Sequence, residues 1–281
     1  MLRSVNLRGV GGITFAPDLP ASAVRAISAG LMQAPREGRL VRMKVAGAGT
    51  LWLKRVEKLS GRLRWQKGDP RRGFEAEREG LRILGALDLP VARLAAEGPD
   101  FLLLRDSGTD LARLATGGTL SGTALRRAFA ASGRALARLH AAGFAHGRPV
   151  LRDICWDGRA ARFIDLERFR AGPAPSWRRS ADVVMLVQSW FTLFPEGGPQ
   201  SAMSAALAAY IGTAGPQARV SVAGLSRRLA PVGTLARALL HLRPRSRELR
   251  AVPLTLGSLA ALDRPRVSRP RPAGPAGPAV H

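Results

Sequence analysis

The order of apolar and polar positions predicts strands and one helix in the first third of the chain. The stretches 39–47 and 50–57 predict two strands, and the Gly-containing turn AGAG that joins them is typical of a hairpin. In 74–87 the apolar residues recur at helical spacing, so we expect a helix there. The stretch 22–32 fits a short helix, and FLLLR at 101–105 is typical of a buried strand.

From about residue 120 the pattern becomes helical. The stretch 125–143, LRRAFAASGRALARLHAAG, predicts an amphipathic helix that ends at a glycine. Two short strands are expected next, in ICW and ARFIDL, because the dipeptide Asp157-Gly158 between them suits a tight hairpin turn. Three further helices are predicted, at 181–194, 201–212 and 233–242.

Strands first and a larger helical part afterwards are the order of an α+β fold. We expect two lobes, a small strand-rich one at 1–106 and a larger helical one at 107–263. The remaining residues, 264–281, are rich in Pro, Gly and Arg and are expected to form a disordered tail. Ligands often bind between two such lobes, so the junction is where a site is expected.

Composition limits the classes of protein that fit the chain. With 281 residues, of which 46% are apolar, it is long enough for a sizeable core. It has no apolar run long enough to span a membrane, and its N-terminal residues show no secretory signal pattern. The single cysteine, Cys155, excludes an intrachain disulfide, so a cytoplasmic setting is expected.

The net charge of +24 is the most unusual property of the chain. Such a charge attracts anions, including nucleic acid, acidic lipid head groups and phosphorylated sugars. However, 40 of the 44 basic residues are arginine, and alanine, glycine and proline are abundant, which is typical of a general composition bias. Both explanations of the charge stay open.

Several polar residues fit the needs of phosphoryl transfer, which are a cation on the phosphates, metal ligands and a positioned nucleophile. Lys54 ends an apolar strand, and Glu77 lies on the apolar stripe of the next helix, from where it could pair with Lys54. Asp153 and Asp165 flank the expected hairpin, so both should lie at one end of it, which suits a divalent metal held by oxygens. Each residue alone has an ordinary structural explanation; the ordered set favours a site.

This set resembles the catalytic core of the protein kinase-like superfamily, and most of all its bacterial lipopolysaccharide core (Kdo and heptose) kinase branch. LWLK is similar to the lysine strand, FEAEREGLRIL to the glutamate helix, and LARLHAAGFAHG to the helix that leads into the catalytic loop. FIDLE is similar to the metal-binding segment, and SADVVML to the later helix whose aspartate braces the loop. The resemblance covers roughly 40–195, and the glycine-rich loop is barely recognisable.

The resemblance implies a bilobal kinase-like fold that uses ATP and Mg²⁺. It also implies roles for individual residues. Nucleotide binding falls to Lys54 and Glu77, metal binding to Asp153 and Asp165, and support of the catalytic loop to His146 and Asp182.

The catalytic loop departs from the family pattern H-G-D-x-x-x-x-N. Arg148 stands at the position of the catalytic aspartate, and Asp153 at that of the metal-binding asparagine. A slipped register, with Arg152-Asp153 as the family's R-D pair, would put Gly158 at the asparagine position. It would also leave 12 residues to Asp165, whereas the interval from Arg148 is 17, as a loop plus a hairpin requires.

The departure changes the expected chemistry. Arginine stays protonated and cannot act as a general base, a role that typically contributes about 10²–10⁴-fold to the rate. Phosphoryl transfer depends mainly on positioning and electrostatics, so losing the base need not abolish it. Arg148 and Asp153 stay candidate catalytic residues. Arg148 could contact the γ-phosphate or an anionic acceptor. Asp153 could bind the metal and orient the acceptor hydroxyl.

Three functions remain open. The first is an atypical ATP-dependent kinase that phosphorylates a lipopolysaccharide core sugar or another anionic acceptor, with an anionic glycolipid or the inner membrane surface as a partner. The second is a pseudokinase that binds nucleotide or acts as a scaffold. The third, a basic nucleic-acid-binding protein, ranks last because only 5% of residues are aromatic and stacking platforms need aromatic rings.

Overall fold

The structure is a computed structural model that describes the backbone of 3–4 and residues 12–35, 38–56 and 69–263. The expected tail, 264–281, and most of the basic segment before the glutamate helix, 57–68, lie outside the described residues. The described part of the chain is a mixed α+β fold with two antiparallel sheets. The α+β class expected from the sequence is therefore confirmed.

The larger sheet has six described strands in the order β1-β2-β5-β6-β4-β3. Their bounds are Arg3–Ser4, Thr14–Phe15, Leu40–Val45, Gly49–Arg55, Leu94–Gly98 and Phe101–Arg105 for β1 to β6. The predicted hairpin is confirmed as β3 and β4, with Leu40 opposite Lys54. The predicted buried strand FLLLR is β6, which pairs with both β4 and β5.

The smaller sheet contains the second predicted hairpin. It consists of β7 (Thr109–Asp110), β8 (Ile154–Trp156) and β9 (Ala161–Phe163). The turn at Asp157-Gly158 forms as expected, because the Asp157 carboxylate accepts hydrogen bonds from the amides of the next residues and Gly158 has φ +98°.

Helices make up most of the rest of the described chain. Their bounds are Ala21–Gln33 (α1), Pro70–Ala86 (α2), Leu111–Thr116 (α3), Gly122–Ala141 (α4), Ser176–Leu193 (α5), Gln200–Ala214 (α6), Pro216–Arg228 (α7), Ala230–Leu242 (α8) and Arg247–Ala260 (α9). All predicted helices are present. None of the helices in the described ranges combines the length and the apolar character that a bilayer crossing requires.

Helix α2 begins four residues before the sequence pattern indicates. The Asp69 carboxylate accepts a hydrogen bond from the backbone of Arg71 at 3.0 Å, and Pro70 occupies the first turn. Both features favour a helix start. Neither contributes to the apolar pattern from which the start at residue 74 was predicted. The extra turn matters for the site, because it brings Gly73 onto the same face as Glu77.

The central strands bury both faces, each against a different apolar core. Leu51, Leu53 and Leu103 contact a cluster that includes Ile27 of α1. Leu102 and Leu104 of β6 contact a larger cluster that includes residues of α2, α4, α5 and α6. Because successive side chains of a strand point to opposite faces, β4 and β6 fix the larger sheet between α1 and the helical part of the chain.

Candidate functional site

Lys54 lies at the centre of a buried charge cluster. Its ammonium forms an ion pair with Glu77, lies 3.0 Å from Asp165 Oδ1, and lies 3.6 Å from Glu167 Oε1. Burial alone would lower the pKa of Lys54, but the charges of Glu77 and Asp165 outweigh it and raise that pKa. The ammonium therefore stays charged at neutral pH, and the ion pair expected between Lys54 and Glu77 is present.

Small residues on α2 let this cluster form. Gly73, Glu77 and Gly80 are spaced by four and three residues, so they lie on one face of the helix. A Cβ on Gly80 would lie 3.0 Å from the side chain of Leu166, and one on Gly73 would lie 3.4 Å from Glu167. The absence of a Cβ at Gly80 lets α2 lie close to the segment after β9, which places Glu77 beside Asp165.

Asp165 has an unusual backbone conformation, with φ +59°. Aspartate is among the few residues that tolerate this left-handed region, and such outliers concentrate at functional sites. Burial on its own raises the pKa of Asp165, but the Lys54 ammonium outweighs it and holds the pKa below its usual range. Asp165 is therefore a carboxylate, and its second oxygen, Oδ2, lies 3.7 Å from Nη2 of Arg148.

Asp153 lies at the same end of the hairpin as Asp165, as the sequence predicts. The backbone carbonyl of Asp153 accepts a hydrogen bond from the amide of Ile164 at 2.9 Å. The Asp153 side chain is 7% exposed, and its Oδ2 has no hydrogen-bond partner among the described residues. Burial, reinforced by the charge of Asp165, raises the pKa of Asp153 to about 7.

The start of the same loop is held by Asp182 of α5. Its carboxylate accepts hydrogen bonds from the backbone amides of His146 at 2.7 Å and Gly147 at 2.9 Å. His140 contacts the same carboxylate at 3.2 Å through Nε2, and its Nδ1 lies 3.0 Å from the hydroxyl of Tyr210. Both oxygens of this buried aspartate are thus used, so Asp182 braces the loop.

His146 has a defined, neutral role in the loop. Its Nε2 donates to the carbonyl of Ile164 at 3.0 Å, and its Nδ1 accepts from the amide of Arg148 at 3.3 Å. Because one ring nitrogen donates and the other accepts, the ring is the neutral tautomer with hydrogen on Nε2. Burial lowers the pKa of His146, which agrees with that assignment. The ring connects the loop to the strand that leads to Asp165.

Gly147 is required by the path of the loop. Its φ is +99°, and a Cβ there would lie 2.7 Å from the carbonyl oxygen of Arg168. A larger residue would therefore be strained by its own backbone and by the neighbouring segment.

Two clefts meet at the charge cluster, and Arg39, Lys54 and Asp165 line both. The larger, the basic cleft, has a volume of about 1320 Å³. Eight of its lining residues are cationic and three are acidic. They are Arg39, Lys54, Arg55, Arg72, Arg148, Arg168, Arg170 and Arg178, with Asp69, Asp165 and Glu167.

The smaller, the inner cleft, has a volume of about 630 Å³ and a more apolar lining. Trp52, Leu104 and Ile164 are among the apolar residues that line it, beside the segment 105–110 that connects the two sheets. That segment crosses the hairpin closely, since a Cβ on Gly108 would lie 2.2 Å from the carbonyl oxygen of Trp156. Asp153 lines the inner cleft, whereas Arg148 lines the basic cleft.

Two residues of the cluster, Glu167 and Arg39, are not predicted as site residues from the sequence. Glu167 contacts Lys54 and forms an ion pair with Arg39 at the start of β3. The signal for Glu167 was its place in FIDLE, two residues after the expected metal ligand. The sequence gives no sign of its contact with Lys54, which joins segments far apart in the chain.

The carboxylates differ in how well they suit a metal ion. Oxygens of Glu77, Asp165 and Glu167 lie within 4.8 Å of one another, but the Lys54 ammonium contacts all three. Asp153 instead has a buried oxygen with no partner in the described chain, beside the carboxylate of Asp165. A buried polar atom without a partner calls for an explanation, and a cation held by oxygens supplies one.

The remaining reactive side chain, Cys155, behaves as a core residue. It lies in β8 and is 7% exposed, and burial raises the pKa of its thiol to about 12. A thiol with such a pKa is protonated at neutral pH and is a poor nucleophile.

Comparison with known proteins adds one relative. No family model matches the chain. A stretch of 138 residues, 49% of this chain, is 28% identical to an uncharacterized protein of Haemophilus influenzae. The match spans 57% of the length of that protein.

Proposed function

We propose that the chain is an atypical ATP-dependent kinase with a bilobal, protein kinase-like arrangement of 1–106 and 107–263. The observation that carries the proposal is the position of Lys54. It is a buried cation that is fixed by Glu77, contacts Asp165, and lines both clefts. Phosphoryl transfer needs such a cation where a nucleotide and an acceptor meet.

In this proposal ATP binds in the inner cleft. The apolar lining provided by Trp52, Leu104 and Ile164 suits a planar base. The phosphates then extend toward Lys54 and Asp165, where this cleft joins the basic cleft. Lys54 binds phosphate oxygens, and Glu77 keeps its ammonium oriented.

Asp153 and Asp165 are the residues that would hold Mg²⁺, as the resemblance implies. Their chemistry fits, because both offer oxygen ligands and one Asp153 oxygen has no protein partner in the described chain. The bound ion would supply charge neutralisation on the phosphates. Asp182 and His146 act indirectly, since they hold the loop that carries Asp153.

The acceptor binds in the basic cleft in this proposal. Eight cationic residues against three acidic ones suit an anionic acceptor such as a lipopolysaccharide core sugar. The acceptor hydroxyl oxygen forms a bond to the γ-phosphorus as the bond between that phosphorus and the β–γ bridging oxygen breaks. ADP leaves with the bridging oxygen, and the hydroxyl proton passes to solvent because Arg148 cannot accept it.

A specific observation favours the pseudokinase as the second candidate. Arg148 replaces the expected base, and its guanidinium lies 3.7 Å from Asp165 Oδ2, where it competes with a metal ion for that oxygen. A protein with this arrangement could bind nucleotide without turnover. No specific observation favours nucleic acid, so that function is not proposed.

Calorimetry of ATP binding, with and without Mg²⁺, tests the site. We expect the wild type to bind ATP more tightly with Mg²⁺, Lys54→Met to lose at least about tenfold in affinity, and Asp165→Ala to lose the Mg²⁺ dependence. The exposed Asp100→Ala is the matched control and should behave as wild type. Absence of nucleotide binding in the wild type contradicts both candidates.

Transfer from γ-labelled ATP then separates the two candidates. Labelling of a lipopolysaccharide core acceptor above the Lys54→Met background supports the kinase. Mg²⁺-dependent binding without labelling of any core acceptor supports the pseudokinase.

A further inference from the structure

Helix α8 carries a row of exposed apolar side chains. Val232, Leu235, Leu239 and Leu242 are 48%, 59%, 38% and 79% exposed. Their spacing of three, four and three residues puts them within an arc of about 80° on one side of the helix. Four large apolar residues in one exposed row are an unusual surface for a protein to leave in water.

Helix α8 packs against α9 through a side other than the one that carries the apolar row. The buried residues of α8 are Gly233 and Ala236. A Cβ on Gly233 would lie 3.3 Å from Leu256 and 3.9 Å from the backbone of Pro253, so α8 packs closely against α9 through small residues. With about 100° per residue, the apolar row lies about 110° around the helix from this contact.

The charged residues of the sequence around the row are all arginine. No aspartate or glutamate occurs between Glu196 and Glu248, a stretch that contains α6, α7 and α8. The same stretch has seven exposed arginines, which are Arg219, Arg227, Arg228, Arg237, Arg243, Arg245 and Arg247. An exposed apolar row in a stretch whose charged residues are all arginine is typical of a helix that lies on an anionic lipid surface.

We propose that α8 and its flanking arginines dock the protein on an anionic membrane surface, with Leu235, Leu239 and Leu242 inserted among the lipid head groups. Charge argues against the other occupants of this surface. A second copy of the chain would bring seven arginines against seven arginines. Residues 264–281 carry four more arginines and no acidic residue, so they offer no complementary charge.

The surface lies outside both clefts, so the proposal does not depend on phosphoryl transfer. If the proposed kinase activity is absent, α8 still binds lipid. If lipid binding is absent, the site around Lys54 is unaffected.

Vesicle flotation with the full chain tests the proposal. We expect binding at least about tenfold stronger to phosphatidylcholine vesicles with about 30% phosphatidylglycerol than to phosphatidylcholine alone. Leu235→Ser/Leu242→Ser should lose at least about tenfold of that binding. Met32→Ser/Leu87→Ser is the matched control, since those side chains are 77% and 55% exposed on other elements. All four positions are exposed, so the fold should be retained.

A second pair of variants tests the arginines. Arg243→Glu/Arg245→Glu should lose binding to anionic vesicles, whereas Arg127→Glu/Arg134→Glu on the exposed side of α4 should retain most of it.

Three results would overturn the proposal. The first is equal binding by Leu235→Ser/Leu242→Ser and the wild type, because the charge alone then accounts for the adsorption. The second is a wild type that ignores anionic vesicles, which would leave an acidic protein as the partner. The third is a wild-type dimer, seen by light scattering, that this double variant converts to a monomer without any lipid binding.

Discussion

The two ends of the loop 146–153 use buried aspartates in opposite ways. At the first end Asp182 has both oxygens occupied, by the amides of His146 and Gly147 and by His140. At the other end Asp153 is also buried, but its Oδ2 has no partner among the described residues. The carboxylate at the first end is fully hydrogen-bonded, whereas the one at the second end has an oxygen without a partner in the described chain.

Two buried aspartates at the ends of one loop therefore differ in what they contribute to folding. A satisfied buried carboxylate contributes to folding, because its hydrogen bonds offset the cost of burial. An unsatisfied one costs stability, and such a cost is typically retained only where function needs it. Substitutions at either end of the loop can test this difference one end at a time.

The largest effect is expected at the anchored end. Asp182→Ala should lower the free energy of unfolding by about 4 kcal/mol, because it removes the partners of two backbone amides and of buried His140. Urea unfolding measures the loss. The control is Asp100→Ala, an exposed position where a change within about 0.5 kcal/mol is expected. Equal effects of the two variants would show that Asp182 is no anchor.

Gly147→Ala should have the next largest effect, a loss of about 2 kcal/mol, because alanine is strained at positive φ and its Cβ would crowd Arg168. Gly158→Ala makes a useful comparison. It shares the positive φ, but no atom lies within 4 Å of the added Cβ. Thermal unfolding of both variants should therefore show the larger shift for Gly147→Ala, and the reverse order would contradict the close approach.

Asp153→Asn should stabilise the protein, and the gain should depend on pH. The folded pKa of about 7 lies above the usual 3.8, so the folded state binds more protons than the unfolded state between these values. Stability from this residue therefore falls as pH rises through that window. Because asparagine does not ionise, we expect a gain of about 2 kcal/mol at about pH 8.5 and almost none at about pH 4.

The control variant, Asp157→Asn, should change the free energy of unfolding in the opposite direction. Burial alone would raise the pKa of Asp157, but hydrogen bonds from the Ala160 amide, the Arg162 side chain and the Arg159 amide lower it to about 2. Asp157→Asn should therefore destabilise the protein at about pH 8.5, and this loss should shrink as the pH falls toward 2. Urea midpoints at several pH values measure both variants. A gain for Asp153→Asn that is constant with pH would contradict the raised pKa.

The smallest effect is expected at Arg148. Its side chain is 40% exposed, and its contact with Asp165 at 3.7 Å is long for an ion pair. Arg148→Ala should change the free energy of unfolding by less than about 0.5 kcal/mol. A loss above about 2 kcal/mol in urea unfolding would instead show that the arginine is a structural replacement for the missing aspartate.

Much of the framework could be predicted from the sequence because it depends on local patterns. Two apolar stretches joined by a Gly-containing turn predicted β3 and β4, and the Asp157-Gly158 turn predicted the hairpin that brings Asp153 and Asp165 to one end. Helices α3, α7 and α9 were not predicted. Pro253 interrupts the pattern of α9, and α7 has few buried residues to create a pattern.

The details of the site depend on contacts between distant segments and could not be predicted. Glu167 forms an ion pair with Arg39, 128 positions away, and lies two residues after the left-handed backbone of Asp165. The unpartnered oxygen of Asp153 is likewise a property of its surroundings, since a turn carboxylate normally finds an amide or water.

The most direct test of the account is Mn²⁺ binding, followed by electron paramagnetic resonance, in the presence of ATP. We expect the wild type and Asp100→Ala to bind Mn²⁺ with the same affinity, and Asp153→Ala and Asp165→Ala each to weaken that affinity at least about tenfold. If Asp153→Ala binds Mn²⁺ as tightly as the wild type, the unsatisfied oxygen is not a metal ligand. The contrast between the two ends of the loop would then have no functional meaning.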